Sequence, residues 1–333
     1  MVPCALDHKI IAKDADCECG HRNWLEEQRV VMQSARSIRP EDDAQAVAQQ
    51  WVRDVSGLVS PPEVCIQLLD LVESPLASAH EIGEVIASDP SLSASLLKLV
   101  NSSFYNYSGR IDTLSRAIAI VGTRELFSLA VSVSAVRSFS KIPVEIVNMD
   151  TFWRHSLVCA IIARNLGKRC GVLHPERLFV AGLLHEIGAL VMFARAPEKS
   201  RELLMAAEGD EQTLAYAERR QFGFNHGDLG GSLAALWKLP DTLVEAISCH
   251  HEPMAAICSK QQTALVRIAD LLADRSDLGS LFAPLPCRDQ PLEIDKALWR
   301  LTGLVAANFD EDQIIADAGR QFIEVSGLLL ANA

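Results

Sequence analysis

Apolar residues recur at offsets of three and four along almost the whole chain, and no segment shows convincing alternation with period two. That spacing stacks side chains on one face of an α-helix and cannot line one face of a strand. Leu92, Leu96, Leu99 and Val100 form one such stripe, Leu229, Leu233 and Leu236 another, and Leu265, Ile268, Ala269 and Leu272 a third. The punctuation agrees. At Asp89-Pro90 the carboxylate can cap free amides, and the proline needs no donor in the first turn. Pro61-Pro62 opens the helix of Val64 and Leu68, Gly122 stops that of Ala117 and Val121, and Leu239-Pro240 starts that of Leu243 and Ile247. One long helix is expected through Leu178, Ala181, Leu184 and Val191. An all-α fold follows, and a content of only 6% aromatic residues favours helix packing over a sandwich.

Charge and cysteine usage narrow the function classes. Thirty-one basic against 43 acidic residues give a net charge of −12, a field that repels phosphate backbones and anionic lipid, so nucleic-acid and membrane partners are disfavoured. No apolar run is expected to reach the roughly 18–20 residues of a bilayer span, and the first residues are too polar for a signal peptide. A cytoplasmic location is expected. The nine cysteines are odd in number; Cys65, Cys159, Cys249 and Cys258 sit in apolar helical patterns and read as reduced, buried small hydrophobes. Cys4, Cys17, Cys19 and His21 have zinc-ligand chemistry, but Cys-x-Cys spacing is too short for the usual tetrahedral site, so free cysteines are the better reading.

Five of the nine histidines fall where a shared site is expected: His155, His185, His226, His250 and His251, with Glu186 and Asp270 as accompanying acids. His155 shares its face with Val158, Cys159 and Ile162 and should point inward. Imidazoles and carboxylates converging in an apolar bundle must be paired or metal-bound, because burying them alone is costly. A single histidine on an apolar helix is more often a satisfied core residue than a ligand. Periodicity alone does not bring the seven together.

Longer motifs do. The stretch Ile86-Ala87-Ser88-Asp89-Pro90-Ser91-Leu92 is followed by Leu96-Leu97 and Asn101-Ser102-Ser103-Phe104-Tyr105, and then by Ile111 to Gly122. In the second half come Trp153-Arg154-His155-Ser156, Ala181-Gly182-Leu183-Leu184-His185-Glu186-Ile187-Gly188, His226 to Gly231, Trp237-Lys238-Leu239-Pro240 and His250-His251-Glu252-Pro253. In order and content this resembles the HDOD domain, a relative of the HD phosphohydrolases found mainly in bacterial signalling proteins. The resemblance implies an HD-like helical bundle with an additional N-terminal helical bundle. Residues 1–55 would be a partly helical N-terminal extension and 56–275 the HDOD domain, with a helical lobe at 56–140 and an HD-like lobe at 144–275. Residues 276–333 would be a C-terminal helical segment.

The same resemblance implies metal ligands at His155, His185, Glu186 and Asp270, with His226, His250 and His251 matching the additional histidines of HD-GYP relatives. Imidazole plus carboxylate suits a divalent transition metal such as iron, zinc, nickel or manganese. The departures point away from catalysis. Glu186 stands where the superfamily has Asp, and Ala189 where active members carry Lys. Glu252-Pro253-Met254-Ala255 replaces a Gly-Tyr-Pro loop, and Thr151 replaces an acidic ligand one turn before the first histidine. The expected role is a non-catalytic regulatory module of signal transduction that binds a partner protein or small ligand, with homodimerisation open. The competing role is a metal-dependent phosphohydrolase or phosphodiesterase.

Overall fold

The computed structural model describes residues 41–54, 63–73, 78–102, 105, 107, 109–139, 146–278, 294–304 and 309–330. Cys4, Cys17, Cys19 and His21 lie outside them; of the cysteines expected to be buried, Cys159 is buried, Cys249 is half-buried and Cys258, in the loop before Lys260, is exposed. Glu41–Ala333 forms one compact unit. Among the described residues there is no strand, so the chain is all-α.

Local chemistry sets the helix starts in the first half. Helix α1 covers Glu41–Asp54, α2 Glu63–Glu73 and α3 Ala79–Ala87. Ser78 and Glu81 cap α3 reciprocally, each side chain satisfying the other's backbone amide. Helix α4, Pro90–Asn101, begins as Asp89-Pro90 dictates: the Asp89 carboxylate accepts from the amides of Ser91 and Leu92. Helix α5 spans Leu114–Val121 and ends at Gly122, whose φ of 100° disfavours other residues, before α6 continues over Thr123–Phe139. Helices α2 to α6 pack on one another around Leu68, Ile86, Leu96, Leu126 and Leu129, all fully buried.

The second half is organised around α7, Met149–Arg169, which is buried along most of its length. It packs against α8, Pro175–Leu184, against α14, Lys260–Arg275, and against α16, Glu311–Leu329. Leu157, Val158, Ile161 and Ile162 seal these contacts, each side chain contributing roughly 1.5–3 kcal/mol on burial. The long helix expected through Leu178 and Val191 is broken at His185-Glu186; α9, Ile187–Arg195, starts only after that turn. The reason is placement, since the break lets two adjacent side chains face the interior. The stretch Pro175–Arg195 is apolar and long enough to cross a membrane, but it is mostly buried inside the chain's own core.

Helices α10, Pro197–Ala207, and α11, Glu211–Phe222, form a hairpin that the periodicity does not reveal. Helix α12, His226–Leu236, packs on α9 and on α13, Asp241–Ser248. Its glycines make this close approach attainable: a Cβ on Gly188 of α9 would lie 1.9 Å from the His226 carbonyl oxygen and 2.4 Å from the Gly230 amide. On its other side α12 receives α1, and Trp51 meets Phe222 and Phe224 edge-on, with ring centroids 5.2 Å apart in each pair. A short helix, α15, at Lys296–Thr302 packs on α14.

Candidate metal centre

The seven residues singled out by sequence come from five places. His155 lies about a third of the way along α7, and His185 and Glu186 form the turn between α8 and α9. His226 is the first residue of α12, fixed there because Asn225 and Asp228 cap the helix reciprocally. His250 and His251 follow the end of α13, and Asp270 sits on α14. The structure brings all seven together, none more than 7% exposed.

They form two clusters. In the first, His155 Nε2 lies 3.3 Å from His185 Nε2, and Asp270 Oδ1 is 3.3 Å and 3.4 Å from these two nitrogens. In the second, Glu186 Oε1 is 3.1 Å from His226 Nε2 and 3.4 Å from His250 Nε2, and His251 Nε2 is 2.6 Å from His226 Nε2. Glu186 Oε1 is also 3.8 Å from His185 Nε2, so this one oxygen joins the clusters. The extra methylene of Glu over Asp gives the side chain that reach.

The outer hydrogen bonds decide which atoms face inward. The Nδ1 of His185 is 2.7 Å from the Gly182 carbonyl, and that of His250 is 2.7 Å from the Ile247 carbonyl. A carbonyl only accepts, so each Nδ1 carries the proton and donates, leaving Nε2 as the inward lone pair in the neutral ring. His226 Nδ1 is held in the same way by Glu218 Oε2 at 2.6 Å. Asp270 Oδ1, Glu186 Oε1 and His250 Nε2 are buried and receive no aligned hydrogen bond among the described residues. Without metal, only protons on the facing imidazoles can offset these inward acceptors, and a cation at about 2 Å would take the place of those protons. The donor set therefore fits a divalent transition ion of borderline softness.

Electrostatics sort the rings. Burial opposes charge on His155, but hydrogen bonding to Asp270 and the charges of Asp274, Asp270 and Glu186 outweigh it and push its pKa up to about 9. Burial likewise opposes charge on His226, where Glu186 and Glu218 prevail and raise it well above the usual range. Burial and the neighbouring rings push His250 and His251 down, which favours their neutral form. Burial works against ionisation of Glu186 and Asp270 too. The surrounding imidazoles, joined at Asp270 by Arg267, nonetheless hold both well below the ordinary carboxylate range.

Four residues around the clusters were not singled out by sequence: Glu211, Glu218, Arg267 and Asp274. Asp274 lies one turn after Asp270, and its Oδ1 is 3.4 Å from His155 Nδ1. Arg267 lies one turn before, and its Nη1 donates to Asp270 Oδ2 at 2.7 Å. Helical offsets of three and four from Asp270 were the available signal. Glu211 and Glu218 are two turns apart on α11, the helix that periodicity failed to reveal.

Comparison with known proteins identifies the family. The HDOD domain model matches residues 58–253, more than half of the chain. The chain belongs to the HDOD domain family. The HDOD match ends before Asp270, which joins the site from beyond it. A similar structure is an HDOD domain protein of unknown function from Geobacter sulfurreducens, 24% identical with a TM-score of 0.61, covering 85% of this chain and 97% of that one. Another is a candidate phosphohydrolase from Shewanella amazonensis SB2B, 25% identical with a TM-score of 0.59, covering 84% and 97%. A candidate signal transduction protein from Marinobacter aquaeolei VT8 is 19% identical with a TM-score of 0.61, covering 87% and 66%. An uncharacterised protein of Treponema pallidum (strain Nichols) is 26% identical over 235 residues, 69% of this chain; the chain spans about half of that relative's length, 45%.

Proposed function

We propose that this HDOD chain is a regulatory module of signal transduction. Its buried imidazole–carboxylate centre holds one or two divalent transition ions in a structural or regulatory role, and the module answers to a partner protein or small ligand. The observation that carries this reading is burial. Every one of the seven inward residues is at most 7% exposed, so a phosphoester has no open approach to the atoms that would bind metal. The charge balance points the same way. Phosphoryl transfer needs fixed positive groups where charge develops in the transition state. Ala189 offers none, and the cation at hand, Arg267, is already engaged by Asp270 and Glu211.

His155, His185 and Asp270 would hold one ion, and Glu186, His226, His250 and His251 a second. A bound ion would supply the positive charge that lets these acceptors share one interior. The second reading, a metal-dependent phosphohydrolase, is favoured by one feature. Glu186 Oε1 faces both clusters, as a bridging carboxylate would in a two-metal hydrolase, and the name of the Shewanella relative is in keeping with it. The test is elemental analysis of protein purified without added metal, followed by assays with cyclic dinucleotides, nucleotides and simple phosphodiesters. Bound metal without turnover is the expected result. Metal-dependent multiple turnover that vanishes in His185→Ala overturns the regulatory reading.

A further inference from the structure

Glu211 occupies a position that packing alone does not explain. It lies in the first turn of α11, where an acid interacts well with the helix dipole. An exposed carboxylate would do that equally well, and Asp210 already caps the helix through the Thr213 amide. Glu211 is instead only 5% exposed. Its Oε1 is buried with no hydrogen-bond partner among the described residues, and it points to His155 Nε2 at 4.0 Å.

We propose that Glu211 is a further metal ligand, a carboxylate delivered from α11 to the His155 side of the centre. The inference rests on the metal-centre reading above. Two atoms bound to one ion at about 2 Å each lie at most about 4 Å apart, so Oε1 and His155 Nε2 are within reach of a shared ion. Ligand atoms of His155, Glu211 and Asp274 all lie within 4.8 Å of one another.

The orientation of Glu211 is imposed from behind. Arg267 Nη1 lies 3.4 Å from Glu211 Oε2 and 2.7 Å from Asp270 Oδ2. One guanidinium thus holds the outer oxygen of both carboxylates and turns both inner oxygens toward the imidazoles. Neither Glu211 Oε1 nor Asp270 Oδ1 has an aligned donor among the described residues. An ion beside His155 would satisfy Glu211 Oε1 and Asp270 Oδ1 together.

The experiment is a zinc titration against a competing chelator, with the full-length wild-type chain and with Glu211→Gln, which keeps the shape and removes the charge. Glu211→Gln should weaken the His155-side ion at least about tenfold, with Glu211→Asp intermediate. A crystal structure of the zinc-loaded wild-type protein should place Glu211 Oε1 about 2.0–2.2 Å from zinc. That measurement decides the matter even where the variant does not fold. Unchanged zinc affinity in a folded Glu211→Gln, or an Oε1 more than about 3 Å from every ion, overturns the proposal while leaving the metal centre standing. A wild-type chain that takes up no zinc overturns the centre and this ligand with it.

Discussion

One oxygen of Glu218 holds His226 twice: Oε2 accepts from the His226 backbone amide at 2.9 Å and from its Nδ1 at 2.6 Å. The first bond fixes where α12 begins, and the second fixes which nitrogen of the ring faces Glu186. A carboxylate behind a ligating imidazole also raises its basicity.

Glu218→Gln should therefore weaken binding at the second cluster by about 10–100-fold and leave the first cluster close to wild type. Zinc titration resolved into two steps checks this. An equal loss at both steps would mean that Glu218 supports the fold and not the ring.

Shortening the shared carboxylate should uncouple the clusters. Glu186 Oε1 reaches His226, His250 and His185 at 3.1, 3.4 and 3.8 Å, and Glu186→Asp withdraws it by about one methylene. Metal content is expected to fall by about one ion per chain, read by elemental analysis after dialysis. Full retention in the variant would show that Glu186 is no bridge.

The pH dependence of stability should have opposite signs with and without metal. In the metal-free protein the folded-state pKa of His155, about 9, exceeds its ordinary value of 6.5. The charged ring therefore stabilises the fold fully below 6.5, and that contribution is lost as pH rises through 9. Metal binding needs the neutral ring and strengthens over the same interval. Thermal melts at pH 6.5, 7.5 and 9, in chelator and in excess zinc, should slope down and up respectively. Parallel slopes would count against His155 as a ligand.

Gly188→Ala should be strongly destabilising. The new Cβ would meet backbone atoms of α12, at 1.9 Å and 2.4 Å, with no side chain to swing aside. Such overpacking costs about 1–3 kcal/mol or more and lowers the melting temperature by several degrees. The same separation of α9 from α12 would carry His226 away from Glu186, so zinc affinity should fall with it. A variant with unchanged melting and zinc binding would show that the two helices can part freely.

The sequence carried the helical fold and the seven inward residues for different reasons. Helices such as α4 and α14 announce themselves because a stripe of leucines and a capping residue are local features. His155 with Val158, Cys159 and Ile162 showed an inward face in the same way. The meeting of His185, His226 and Asp270 was legible only through motifs held in family order. What escaped lay where the local signal is weak. Helix α11 has few buried apolar positions, Leu214 and Ala215 among them, so its stripe is thin and Glu211 and Glu218 looked like ordinary surface acids. The break at His185-Glu186 was hidden because the apolar pattern runs straight through a turn that serves side-chain placement.

Helix α1 lies before residue 58, where the family match begins, yet Trp51 is lodged against the two phenylalanines that lead into His226. The segment that inheritance marks out and the segment that folds as a unit thus have different borders in this chain. Trimming the protein to its recognisable domain would remove a brace from one half of the histidine centre.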